Sequence, residues 1–366
     1  MNCKIIALSL LLIINFIYPQ NMTNWKIEPS LKYDLCCYLN FLTGDTFYKD
    51  FYKNEPNPFL EKITPEAKLA IDSLYKKLKL DKNIIISAWL CLYFSAIEGN
   101  DIDDMINAVK DPAELKSNFE KTPYYDDESW ETFTGIKQEL LVVLNYLLDS
   151  GFKNYWTENI KPKVDSAINK VNSGIDKYDV IKENEYFLGF KLPSDTITVY
   201  MLHYNMPHGI KITGMRFISA IYWPFEITVR TAAHEMMHPP YDYKNDKELR
   251  DYINSFSSDK FFMDKVNNHN KSLGYNTMDG LFEEDCVQAL DQMINEKLGI
   301  AKDAGARWKE SDEEIHVLAV VLYKLMKETG YNSRNEIFRD YLLRLNNEGK
   351  LKPGMLKKYY DKFYEK

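Results

Sequence analysis

"TVRTAAHEMMHPPYD", residues 228–242, sets two histidines four positions apart with a glutamate directly after the first. Pro224 stands where a first helical residue is favoured and Glu226 falls in the first turn, so "FEITVRTAAHEMMH" reads as a helix stopped by Pro239 and Pro240. On such a helix His234 and His238 lie one above the other on one face, with Glu235 beside them. The preceding segment, "DTITVYMLHYNMPHGIKITGMRFISAIYW" (195–223), is rich in β-branched and aromatic residues and punctuated by Pro207, Gly209 and Gly214. It reads as two or three strands with tight turns. A short motif-bearing helix after strands, in a chain otherwise patterned for helix, predicts an α+β fold that is predominantly helical.

Outward from that point the chain is helical on both sides. Period-3.6 apolar spacing runs through "PEAKLAIDSLYKKLKL", "NIIISAWLCLYFSAI" and "FTGIKQELLVVLNYLLDSGF", giving a helical N-terminal region over 21–190, and the strands and motif open a second region over 191–366. Within the second region helices are expected over about 245–256, 259–268, 280–298, 312–328 and 333–347, followed by a tail helix. "SDEEIHVLAVV" offers Ser311 and Glu314 as a capping box. Residues 1–20 read as a signal peptide: Lys4, then an apolar run from Ile5 to Tyr18 that is short for a membrane span. Export to the periplasm, the cell surface or the medium follows, with no stable span in the mature chain.

Composition narrows the function. The 366 residues carry a formal net charge of −8 and no long basic block, which argues against a nucleic-acid partner. Cys36, Cys37, Cys91 and Cys286 are too few to staple a chain of this size and include no CxxC pair, so they read as buried thiols, with one bridge to Cys91 as the alternative.

Two imidazoles on one helical face can reach a single metal ion, and burying them with a glutamate to no purpose is costly. Zinc fits this donor set: it lowers the pKa of a water and polarises a carbonyl, while Glu235 takes the water's proton and passes it to the leaving amine. A hydrolytic zinc site needs a third protein ligand. The longer pattern HExxHxxGxxH is absent, because Tyr241 and Lys244 occupy its Gly and His positions. Downstream, "NTMDGLFEEDCVQALDQMINEKLG" starts a helix near Asp279 with Glu283, Glu284 and Asp285 in its first turns. A helical wheel puts Glu283 in the apolar face made by Phe282, Cys286, Ala289 and Leu290, and Glu284 at its margin. A ligand belongs at the edge of a water-accessible cleft, and Gln288 one turn on can hydrogen-bond Glu284. Glu284 is therefore preferred, with Glu283 the main alternative and Asp279 or Asp285 behind.

"AAHEMMHPP" followed by "LFEEDCVQALDQMINEKLG" resembles the gluzincin class of zinc metallopeptidases and, more narrowly, an uncharacterised family of exported bacterial HExxH proteins. "LKYDLCCYLNFLTGDTFYKDFY" and the glycine-containing strands fit that family as well. The resemblance implies a zincin-like core with a small strand region before the HExxH helix, bound zinc, and hydrolysis of a peptide or protein substrate. It also implies an oxyanion-stabilising Tyr or His on a later helix, for which His316 and Tyr323 are the candidates, and an edge strand for extended peptide in "MRFISAIYW". Gluzincins place an acidic residue one turn after the glutamate ligand, where this chain has Gln288. The rival reading is a non-catalytic surface or binding protein on the same scaffold; Glu235, which a purely structural metal site does not need, favours the enzyme. His203, His208 and His269 have no partner spacing and read as structural or surface residues.

Overall fold

The computed structural model describes residues 22–331 and 336–365. The leader and the start of the helix expected at 333 lie outside them. The fold is predominantly helical with one four-stranded mixed sheet. Strands β1 (Asn24–Pro29), β2 (Thr196–Leu202), β3 (Ile210–Ile212) and β4 (Arg216–Ala220) stand in the order β1-β2-β4-β3. β1 and β4 flank β2 in parallel, and β3 runs antiparallel to β4.

β1 has no counterpart among the strands the sequence predicts. "NWKIEP" is short and alternates weakly, and only its register with β2, from Asn24 against Thr196 to Pro29 against Met201, makes it a strand. Its proline and charges suit an outer position. Ser30 then caps helix Leu31–Leu42, every residue of which is buried. On that helix Asp34 accepts from the backbone N–H groups of His203 (3.0 Å) and Tyr204 (2.8 Å) and from Trp156 Nε1 (2.8 Å). This carboxylate fixes where β2 ends and the chain turns back. From Leu31 to Leu356 the buried apolar side chains form one continuous core.

The edge strand differs from expectation. Arg216–Ala220 is hydrogen-bonded on both sides, and the edge beyond it is Ile210–Ile212. Ser219 Oγ meets Thr228 Oγ1 at 2.9 Å, tying β4 to the motif helix, Phe225–Glu235. Pro224 caps that helix instead of opening it, and the α-helix stops at Glu235. His238 rides on a tightened last turn in which Met237 N donates to His234 O at 3.1 Å. Pro239 accounts for this, because it bars ordinary helical geometry at the residue before it.

Two further helices complete the site. Met278–Lys297 is capped by Thr277 and buried on all sides, and Val317–Thr329 packs beside it. The capping box expected at Ser311 and Glu314 does not form: Ser311 Oγ donates to Arg307 O, and Asp312, Glu313 and Glu314 all take left-handed backbone angles. Asp285 caps helix Val317–Thr329 from outside, accepting from Leu318 N (2.9 Å) and Ala319 N (3.2 Å). All four described cysteines are free and buried, and no described helix is long and apolar enough to cross a membrane.

Burial pushes Asp34 up to about 6, against three N–H donors that favour its anion. A carboxylate raised in the fold adds stability that is complete below its unfolded value near 3.8 and is lost as pH rises through about 6. Denaturant titrations of wild type and Asp34→Asn should therefore show the wild type losing ground between pH 4 and pH 7 by roughly 3 kcal/mol, at about 1.4 kcal/mol per pH unit between the two values. Asp34→Ala, which strands two backbone donors and an indole N–H, should be destabilised at every pH by about 3 kcal/mol or more.

Candidate metal centre

The motif helix turns Thr228, Val229, Ala232 and Ala233 into the core. It presents Ile227, Arg230, Thr231, His234 and Glu235 to a cavity of about 950 Å³. The i, i+3, i+4, i+7, i+8 spacing of those five makes them one helical face. Phe47 and Tyr48 of an N-terminal helix, Ile85, Pro207 to Gly209, Tyr275 and Arg307 also line it. Gly209 permits close passage over the motif helix: a Cβ there would fall 2.6 Å from Thr231 Cγ2 and 3.4 Å from Glu235 Oε1.

His234 Nε2 and His238 Nε2 face each other at 3.2 Å. Glu284 closes the triangle, Oε1 at 3.5 Å from His234 Nε2 and Oε2 at 3.5 Å from His238 Nε2. The ligand atoms of the three residues all lie within 4.8 Å of one another, a cluster able to hold a metal ion. Each imidazole is oriented from behind, His234 Nδ1 by Asp291 at 2.8 Å and His238 Nδ1 by Glu283 at 3.1 Å. With the Nδ1 protons given to carboxylates, two Nε2 lone pairs and a carboxylate converge on one point. That is a donor set a cation could complete.

The two glutamates thus divide the work. Glu284 is 5% exposed and faces both Nε2 atoms, whereas Glu283 is half-buried and reaches the outer nitrogen of His238. A one-faced wheel misleads here because the helix is surrounded by protein. Gln288 Nε2 donates to Glu284 Oε1 at 2.9 Å, and its Oε1 accepts from Trp308 Nε1 at 2.9 Å. The acid that orients His234 comes from Asp291, two turns past Glu284, and Arg307 clamps it with both terminal nitrogens. Asp291 and Glu284, seven apart, share a helical face, so the spacing was readable once Gln288 was seen to fill the nearer position.

Burial opposes charge on both imidazoles, yet neighbouring carboxylates win. Glu284, Asp291 and Glu235 hold His234 well above its ordinary range; Glu283 and Glu284 raise His238 to about 9. Burial would raise Glu284, but the two histidines hold it well below the usual carboxylate range.

Of the two oxyanion candidates, neither reaches the cavity. Tyr323 hydrogen-bonds Glu296 and packs against Trp308 and Phe363. His316 is 1% exposed, with Nδ1 2.7 Å from Asp285 Oδ1 and Nε2 3.1 Å from Gln288 Nε2. It braces the support behind Glu284. The residue that sequence reasoning misses is Tyr275, on the cavity wall with φ 57°, edge-on to His316. Burial, then Glu284, Asp312 and Glu235, keep its phenol protonated far above the usual range. His208, read as a structural or surface residue, also lines the cavity and meets Tyr48 Oη at 3.0 Å. No protein-family model, curated protein or solved structure matches this chain.

Elemental analysis of the purified chain should find about one metal ion, lost in His234→Ala and Glu284→Ala. Asp291→Asn and Glu283→Gln should keep the metal with affinity weakened about 10- to 100-fold. Metal must displace protons that the raised histidines hold, so affinity should climb as pH rises toward 9, with proton release measurable in buffers of different ionisation enthalpy.

Proposed function

We propose that the protein is an exported zinc-dependent peptidase of gluzincin type, in which His234, His238 and Glu284 would hold the ion. The observation that carries this reading is the ligand spacing. Bonds of 2.0–2.2 Å to a tetrahedral zinc require donor atoms about 3.3–3.6 Å apart; the two Nε2 atoms stand at 3.2 Å, and Glu284 sets a different oxygen 3.5 Å from each of them. Strands β2 to β4, the motif helix and helix Met278–Lys297 then make a zincin-like core, with β3 as its antiparallel edge. The apolar leader supports export.

Zinc in this place would lower the pKa of a water and polarise the scissile carbonyl. Glu235 lies on the cavity wall, 8% exposed and next to the metal-facing histidine. Its carboxylate takes a proton from the attacking water and delivers it to the leaving nitrogen, a role worth about 10²–10⁴ in rate. Tyr275 stays protonated at neutral pH and so can donate its hydroxyl proton to the oxyanion.

Glu235→Gln should keep its metal and lose about 10²- to 10⁴-fold in kcat on a peptide library. Tyr275→Phe should lose about 10²-fold or more in kcat with KM little changed, whereas Tyr323→Phe should stay within about twofold of wild type. Wild-type protein that holds zinc and cleaves no peptide would establish the rival reading, a non-catalytic metal-holding scaffold.

A further inference from the structure

A second cavity, of about 330 Å³, lies where β1 passes into helix Leu31–Leu42, and it shares no lining residue with the metal cavity. The strand register builds one side of it. Glu28 pairs with Tyr200 and Thr198 with Arg216, and alternation along β2 puts Thr198 and Tyr200 on the same face, so Tyr200 and Arg216 are neighbours on that face. Tyr33 stands edge-on to Tyr200 with ring centres 4.8 Å apart, and Lys32 Nζ lies 4.9 Å from the centre of the Tyr33 ring. Lys32, Tyr33, Tyr200 and Arg216 all line the cavity. Lys32 is 3% exposed, and of its three ammonium protons one is engaged, by Ile97 O at 2.9 Å. Burial, with the like charge of Arg216, pushes it down to about 8, so it is still charged at neutral pH. Tyr33 is 1% exposed, and its hydroxyl has no hydrogen-bond partner. Arg216 gives Nε to Thr213 O and one terminal nitrogen to Ser95 O, both at 2.8 Å, and among the described residues no carboxylate pairs with it or with Lys32. Two carboxylates also line the cavity: Glu28 is held by Lys26 at 2.8 Å, and Glu98 is exposed to screening water. A buried ammonium without a counter-charge and a buried hydroxyl without an acceptor are both costly until an anion completes them.

We infer that this second cavity binds a phosphate group, held by Lys32, Tyr33 and Arg216. What these side chains lack decides the ligand. Lys32 and Arg216 can only donate, and Tyr33, whose phenol burial keeps protonated far above its ordinary range, has a hydroxyl proton to give. Two unpaired cations match the two negative charges of a phosphate better than the single charge of a carboxylate. An ammonium supplies a point charge and a guanidinium a fork, and both are phosphate-binding groups. Helix Leu31–Leu42 begins at the cavity, so the partial positive charge of its N-terminus acts in the same sense. A cavity of this size is at the small end of the range of about 300–1,000 Å³ that ligand pockets span, which suits a small ligand. Free phosphate and the phosphate of a small monoester share this chemistry. No residue of the metal centre takes part, so the inference is independent of the peptidase reading.

The full chain is titrated calorimetrically at pH 7 and constant ionic strength with inorganic phosphate, glycerol 3-phosphate and acetate. Expected is saturable binding of phosphate at least about tenfold tighter than that of acetate. Glycerol 3-phosphate binding as tightly as phosphate identifies a monoester as the ligand; its exclusion identifies the free ion. Lys32→Met should weaken phosphate by at least about tenfold, while the melting temperature without phosphate does not fall, because an apolar side chain of similar length replaces an unpaired buried charge. Phosphate should raise the melting temperature of wild type and leave that of Lys32→Met where it is. Tyr33→Phe, whose hydroxyl has no partner in the fold to lose, should keep the wild-type melting temperature and bind phosphate several-fold more weakly. It decides the matter if Lys32→Met does not fold: wild-type affinity in Tyr33→Phe then overturns the inference. So does the absence of saturable phosphate binding, acetate binding as tightly as phosphate, or binding that survives Lys32→Met. His234→Ala, which removes a metal-facing imidazole, should bind phosphate as wild type does. Binding lost in His234→Ala and kept in Lys32→Met places the phosphate at the metal centre, which overturns this inference and leaves the metal reading standing.

Discussion

The centre depends on one buried carboxylate. Asp291 is 2% exposed, and an isolated charge at that depth costs several kcal/mol. It is tolerable because His234 Nδ1 and Arg307 both engage it, and Arg307 is itself held by Gln292 Oε1 at 3.1 Å. In return Asp291 fixes the ring plane of His234, and so the direction of the Nε2 lone pair. Breaking Arg307 therefore acts on that direction through Asp291, without touching His234. The rest of helix Met278–Lys297 follows the same logic: Glu284, Asp285, Gln288, Gln292 and Asn295 are all buried, and each but Asn295 is satisfied by a partner from another turn or segment. The helix also buries Leu281, Phe282, Val287, Leu290 and Ile294 completely, so hydrophobic burial holds it in place while the polar groups must be satisfied among themselves. They form a connected network.

The sheet supplies the reference frame for that network. β2 is held on both sides by β1 and β4, and Asp34 pins its end, so the turn through Pro207 to Gly209 is fixed above the motif helix. β4 leads into the motif helix over four residues, with the Ser219–Thr228 bond setting the angle of entry. The cavity exists because strand ends, motif helix and N-terminal helices meet there without filling the space. β1 joins a strand near the chain's start to one about 170 residues later, and that long-range closure is what local patterning cannot show.

Legibility in the sequence followed the range of the interaction. The HExxH spacing is local, so His234, Glu235 and His238 could be placed from it, as could the helical texture and the strands before the motif. Glu284 was readable because Gln288 lies one turn away on its own helix. Errors began where a partner was distant. The α-helix starts only at Val317, where the distant Asp285 caps it at Leu318 N and Ala319 N, while Ser311 turns its hydroxyl back to Arg307 O. His316 and Tyr323 sit on an apolar helix in a spacing that suits a site, yet Asp285 and Glu296 claim them from outside that helix. Tyr275 carries no motif at all; only its unusual backbone marks it.

That backbone bears on how the site is held. Among the described residues five non-glycine positions have positive φ: Asn83, Tyr275, Asp312, Glu313 and Glu314. Tyr275 and Asp312 both line the cavity, and Glu313 and Glu314 continue from Asp312. Left-handed angles cost roughly 1–2 kcal/mol per residue, so this wall stores strain that the surroundings must offset. The two segments restrain each other: Glu313 Oε2 accepts from Asn270 N at 2.9 Å at the start of the Tyr275 loop, and the Tyr275 ring stands 5.5 Å from that of His316, which Asp312 also contacts. His316 then passes the restraint through Gln288 to Glu284. Tyr275 thus packs against the same His316 that braces Glu284 through Gln288. The strained segments are thus tied to the same network that orients Glu284 toward the His234 and His238 Nε2 atoms, which favours one fixed geometry there.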